Sequence, residues 1–118
     1  MYCCNVNNSY FYDNRADYGG AMFGGNATGC IFNLNVAYSF GGAIKSGYAN
    51  NCSFDFNRAE FDGGAMFDSV ACDSIFTNNT AKNSGGAIYI YEGINTPVMC
   101  TLQGNTADVN GSSIYIHP

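Results

Sequence analysis

Cys52-Ser53-Phe54-Asp55-Phe56-Asn57-Arg58-Ala59-Glu60-Phe61-Asp62-Gly63-Gly64-Ala65-Met66 is one copy of a pattern that runs through all 118 residues. Its glycine pair recurs as Gly19-Gly20, Gly41-Gly42 and Gly85-Gly86, so successive pairs stand 22 residues apart. A degenerate fifth copy, Gly111-Ser112-Ser113-Ile114, begins 26 residues after Gly85. A fixed period of about 20 to 50 residues marks a solenoid or a propeller, in which each unit buries its apolar face only against its neighbours.

Aligned on asparagine, the copies centre on Asn14, Asn35, Asn57, Asn79 and Asn105. Three residues earlier stand Phe11, Phe32, Phe54, Phe76 and Leu102, and five earlier stand Ser9, Cys30, Cys52, Ser74 and Cys100. Two residues later there is always alanine: Ala16, Ala37, Ala59, Ala81 and Ala107. The first copy is one residue shorter between its alanine and its glycines. The last is four residues longer, with Glu92-Gly93 and Asn95-Thr96-Pro97 reading as an inserted loop.

The positions five and three before the asparagine share parity, so on a strand they face one side, while Asn33, Ser53, Asp55, Thr77 and Gln103 face the other. After the glycines, Met22, Ile44, Met66, Ile88 and Ile114 form a second apolar column. The next column, Phe23, Lys45, Phe67, Tyr89 and Tyr115, admits a lysine and is expected to face water. A unit this short, with two or three strands, buries nothing alone; stacked in parallel at about 4.8 Å it turns every column into a ladder. The asparagines then form an inward turn ladder, and the glycine pair makes a sharp corner. The expected fold is all-β: one right-handed parallel β-helix over residues 1–118, about five coils of 22 residues. Cys-x-Phe-x-x-Asn also resembles the core of leucine-rich repeats. Against that stand two leucines in the chain, no room for a helix, and no place for Gly-Gly-Ala-Ile.

Phe76-Thr-Asn-Asn79 followed by Gly85-Gly86-Ala87-Ile88-Tyr89 resembles the repeats of chlamydial polymorphic outer membrane proteins. It is equally similar to the adhesin-like surface proteins of methanogenic archaea. The resemblance covers roughly residues 9–116 and rests on scaffold positions. It implies a β-helical passenger or stalk displayed at a cell surface or secreted, and a role in adhesion.

Composition narrows the partners. Charged residues are 11% and the net charge is −5, with Arg15, Lys45, Arg58 and Lys82 the only bases. Such a chain cannot neutralise a run of phosphates, which excludes nucleic acid. No apolar run reaches the ~20 residues of a membrane span, and no basic-then-apolar leader opens the sequence. Met1 starts partway through a repeat and neither end reads as a polar cap, so the chain is expected to be a segment with flanking coils in a longer protein.

The chemistry-bearing residues are few. Cys30, Cys52 and Cys100 occupy one inward column, where cysteine acts as a small hydrophobe, although adjacent coils also meet disulfide geometry. Cys3-Cys4, Cys72 and the lone His117 lack zinc-like spacing, and no calcium nonapeptide is present, so no metal or other cofactor is expected. His117 is expected to sit at a frayed terminus, away from any nucleophile. Asp55, Glu60, Asp62 and Asp68 share the third coil and could pair as acid and base, as in a carbohydrate-active β-helix enzyme of lyase or glycosidase type. Against this, Arg15/Asp17 and Arg58/Glu60 read as ion pairs, and outward carboxylates keep a rod soluble. Sequons occur at Asn7, Asn26, Asn51, Asn78 and Asn110. No catalytic residue is assigned. The candidate contact surface for a glycan or protein partner is the column Phe23, Phe67, Tyr89 and Tyr115, since exposed aromatic patches mark interaction sites. The expected function is a structural and adhesive surface segment; the alternative is the carbohydrate-active enzyme.

Overall fold

The computed structural model describes residues 1–91 and 96–117, which form short parallel strands with no helix among them. Among these residues, no helix is long and apolar enough to cross a membrane. The strands stack into four sheets, so each coil is four-sided rather than built from the two or three strands expected. The first sheet comprises Asn5–Asn7, Asn26–Thr28, Tyr48–Asn50 and Val70–Cys72. The second holds Tyr10–Tyr12, Ile31–Asn33, Ser53–Asp55, Ile75–Thr77 and Thr101–Gln103. The third holds Arg15–Tyr18, Val36–Phe40, Arg58–Ala59, Thr80–Ala81 and Thr106–Ala107. The fourth holds Met22–Phe23, Ile44–Lys45, Met66–Phe67, Ile88–Ile90 and Ile114–Ile116.

Register places each column over itself. Phe11, Phe32, Phe54, Phe76 and Leu102 pair in sequence. The alanines from Ala16 to Ala107 do the same on the third sheet. The short first copy is absorbed there by a register shift, which sets Tyr18 opposite Phe40. In the last copy Ile90 pairs with Ile116 and Cys72 bridges to Val98, so the extra residues fall between Ile90 and Val98. Glu92, Gly93 and Asn95 of the expected loop lie outside the described residues.

The core is a filled column. Phe32, Phe54 and Phe76 are fully buried, and the rings from Phe11 to Phe76 stack 4.6–4.8 Å apart with interplanar angles of 3–4°. Opposite them lie Met22, Ile44, Met66 and Ile88, and the first sheet contributes Ala27, Ala49 and Ala71. Stacked aromatic pairs add about 0.5–1.5 kcal/mol beyond the area they bury. Cys30 and Cys52 are buried against this cluster as free thiols.

Corners are made by left-handed residues in fixed columns. Asp13, Leu34, Phe56, Asn78 and Gly104, each just before the ladder asparagine, have φ between 54° and 68°. Asn8, Gly29, Asn51, Asp73 and Met99 do the same before the Ser/Cys column, with φ between 49° and 63°. The glycine pair divides its labour. Gly63 has φ +68°, the left-handed value that favours glycine. Gly64 has an ordinary φ but no room, because a Cβ there would stand 2.0 Å from the Gly86 carbonyl oxygen.

Each left-handed residue re-aims the next side chain, which brings the asparagines inward. The Asn57 side-chain amide donates to Asn79 Oδ1 at 3.0 Å and to the Phe32 carbonyl at 3.0 Å. Its own Oδ1 accepts from the Asn35 backbone N–H at 3.0 Å and from Asn35 Nδ2 at 2.9 Å. Asn14, Asn35, Asn79 and Asn105 continue the ladder, and Asn35, Asn57 and Asn79 are fully buried. Buried amides this well partnered stabilise the turn instead of costing their desolvation.

Candidate functional site

The outward column on the fourth sheet departs from the expectation that it faces water. Phe67 and Tyr89 are only 9% and 8% exposed, while Phe23 and Tyr115 are half-buried. The cause is mutual cover. Phe67 and Tyr89 stack at 4.9 Å, Tyr89 and Tyr115 meet at 5.1 Å, and Phe40 from the third sheet lies 4.6 Å from Phe67. Tyr2 stacks on Phe23 at 5.3 Å, and Tyr18 meets Phe23 edge-on at 6.4 Å. The register therefore brings the four candidate residues into one ladder, but neighbours from the third sheet turn its exposed face into the wall of a groove.

Lys45 occupies the one rung of the ladder without a ring. Its Nζ lies 4.9 Å from the Phe23 ring centre, 5.6 Å from Phe67 and 5.7 Å from Tyr18. A lysine is tolerated there because aromatic faces attract the cation, not because the position is open to water. Its hydrogen bond among the described residues goes to Ser46 Oγ at 3.3 Å. Tyr18, Phe23, Phe40, Lys45, Phe67, Asp68 and Tyr91 line a groove of about 490 Å³ around it. Asp68 sits at a corner with φ +48°, and its Oδ1 is buried without a hydrogen-bond partner among the described residues. At the upper end, Tyr89 Oη is 3.1 Å from His117 Nδ1, and Tyr91 stacks on the His117 ring at 4.9 Å. His117 is thus docked on the aromatic ladder, not frayed as expected.

The other bases are engaged elsewhere. Arg15 pairs with Asp13 at 3.0 Å, not with Asp17 as expected, because residues two apart across the left-handed corner come closer than those along the strand. Glu60 holds both Lys82 and Arg58, the latter at 3.1 Å. The bond from Lys82, reinforced by the Arg58 charge, draws the Glu60 carboxyl below its ordinary range.

The third-coil carboxylates are spread around the coil. Asp55 is on the second sheet, Glu60 beside the third, Asp62 at the glycine corner and Asp68 after the fourth. Asp62 is nearly buried, and its Oδ1 accepts from Asn83 Nδ2 at 2.8 Å and from the Ser84 N–H at 3.0 Å. Burial pushes its carboxyl up and the two donors oppose that. Among the described residues no group of three or more His, Cys, Asp or Glu is placed to hold a metal ion. Burial also pushes the Cys52 and Cys100 thiols up, away from the thiolate form. All five sequon asparagines, Asn7, Asn26, Asn51, Asn78 and Asn110, are exposed.

Sequence reading missed Tyr18, Phe40 and Asp68 as partners of the column. For Phe40 a signal existed: it lies next to the glycine pair, where the first copy's Tyr18 is also aromatic. For Asp68 nothing in the repeat pattern marks it.

No curated protein and no solved structure matches the chain significantly. Residues 73–91 match the family model of the Chlamydia polymorphic membrane protein (Chlamydia_PMP) repeat, and this stretch runs from the corner before Ser74 through Phe76, Asn79 and Gly85-Gly86 to Tyr91, three of the four sides of one turn of a parallel β-solenoid that the preceding coils copy in register.

Proposed function

We propose that the chain is a β-helical segment of a cell-surface or secreted protein, a stiff spacer that continues into flanking coils and presents outward side chains to a glycan or protein partner. The observation that carries this reading is the match of residues 73–91 to a repeat whose family is named for membrane proteins and is not a family of enzymes. The residues that define the repeat serve the scaffold: Phe76 fills the core, Asn79 bridges coils, and Gly85-Gly86 makes the corner. Recognition is therefore left to side chains that vary between coils. The aromatic ladder of Phe23, Phe67, Tyr89 and Tyr115, with the groove that Phe23 and Phe67 help to line, is the surface best suited to it, because ring faces offer apolar area with little loss of side-chain freedom.

The test couples the purified chain to beads and pans them over whole cells and a mixed glycan array, with lyase and hydrolase assays on each ligand retained. Binding without turnover, lost in Phe67→Ala, is the expected result. Turnover that disappears in Asp62→Ala and survives in Phe67→Ala would replace the adhesive reading with an enzymatic one.

A further inference from the structure

The four bases of this acidic chain are not equivalent. Arg15 faces Asp13, while Arg58 and Lys82 share Glu60. Lys45 alone has no carboxylate within ion-pair distance among the described residues, and it stands in the aromatic groove. Three rings hold its ammonium, yet Ser46 Oγ takes only one of its three N–H donors. Asp68 lines the same groove and brings a carboxylate acceptor to it. An ammonium with unused N–H donors and a carboxylate on the walls of one groove call for a ligand that meets both. At about 490 Å³ the groove has the size of a small-ligand site.

We propose that this groove binds an acidic saccharide, its anionic group on Lys45, a hydroxyl donated to the Asp68 carboxylate on the groove wall, and the apolar C–H face of the sugar ring against Phe40 and Phe67. A sugar is favoured because it combines the three features demanded here: an anion, hydroxyl donors and a flat apolar face. A simple anion would leave Asp68 and the rings unused, and a neutral sugar would leave Lys45 unused. The inference rests on the surface-presentation reading but fails separately from it. Binding to cells through a neutral glycan or a protein would keep that reading and discard this one.

The probes are a galacturonic acid trisaccharide and a sulfated galactose disaccharide, compared with galactotriose, acetate and a tri-glutamate peptide. Binding to the whole 118-residue chain is followed by proton saturation transfer and calorimetry. An acidic saccharide should bind, its ring protons should saturate from aromatic protein protons, and affinity should fall steeply with added salt. Preference between the two charged probes tells a carboxylate from a sulfate source. Lys45→Gln should weaken binding at least about tenfold, as expected for loss of a charged hydrogen bond. Lys82→Gln, a change just past the third-sheet strand Thr80–Ala81, should leave it unaltered. Saturation transfer on the unaltered chain decides the matter should Lys45→Gln fail to fold. Galactotriose, acetate or tri-glutamate binding as tightly as the acidic sugars, no saturation transfer to them, or equal affinity in Lys45→Gln would each overturn the proposal.

Discussion

Two acids in the third coil respond to pH in opposite senses. The Glu60 carboxyl is lowered by Lys82 first and by the Arg58 charge, so its stabilising contribution is present above the unfolded carboxyl pKa and lost as pH falls through the folded one. The Asp62 carboxyl is raised by burial, so its folded form keeps a proton that the unfolded chain has released. Its contribution is full below the unfolded pKa and declines as pH rises through the folded value. Asp62→Asn keeps an acceptor for Asn83 and Ser84 and removes the buried charge. We expect it to melt no lower than wild type at neutral pH, with its advantage shrinking toward acid; a markedly lower melting temperature at pH 7 with an unchanged pH profile would contradict this. Asn57→Ala is a harsher change. It removes the partner of the Asn35 backbone N–H and the donor to the Phe32 carbonyl, while Asn79 Oδ1 keeps the backbone N–H of residue 57, and each buried group left unpaired costs about 1–3 kcal/mol. Urea unfolding should show the loss, whereas Asn105→Ala should lose less because, among the described residues, Asn105 Nδ2 makes one bond, to the Phe76 carbonyl, where Asn57 Nδ2 makes two.

At the level of the coil, the left-handed corners decide which substitutions help. Phe56 holds φ +55° and is 54% exposed, so it carries backbone strain with little packing in return. Asparagine adopts that conformation more readily, and Asn78 already does so one coil later. Phe56→Asn should raise stability by about 1 kcal/mol, measured by denaturant midpoint; an unchanged or lower midpoint would mean the ring packs more than its exposure indicates. These corners also explain what was legible in advance. The Phe, Asn, Ala and Gly-Gly columns were readable because stacking forces like on like. The first sheet was missed because its inward residues, Ala27, Ala49 and Ala71, are small and two of its strands carry asparagine beside them, at Asn26 and Asn50. Yet the columns Asp13/Asn78/Gly104 and Asn8/Gly29/Asn51/Asp73 already carried the residue types that tolerate positive φ. The aromatic groove was misread because alternation along one strand says nothing about side chains leaning over from the next sheet.

At the scale of the whole molecule, strand pairing among the described residues joins each coil to its neighbours, and these residues measure 33 × 27 × 23 Å. Stability in such a stack is near a sum of coil terms and nearest-neighbour terms. Protection should therefore be graded from the middle coils outward. Thiols report this directly: Cys30 and Cys52 are buried, Cys72 and Cys100 partly so, and Cys3 and Cys4 exposed. Maleimide labelling under native conditions should modify Cys3 and Cys4 first, and Cys30 and Cys52 only at the rate of unfolding. Labelling of Cys52 as fast as Cys3 would show that the central coils open independently. The asparagine ladder adds a property that no single coil has. From Asn35 to Asn105, every side-chain carbonyl points toward the earlier coil; from Asn14 to Asn79 one amide hydrogen of each side chain points toward the later coil, while from Asn35 onward the other bonds a phenylalanine carbonyl of the earlier one. The backbone bonds between coils run both ways, as Asn8 to Thr28 and Ile31 to Ser9 illustrate, and so largely cancel. The amide dipoles do not cancel; they add along the axis, and each polarises the next by about 10–30% of a bond. The rod is thereby an electrically oriented wire of amides, whose rungs tighten as coils are added and which senses, at every rung, the removal of any one.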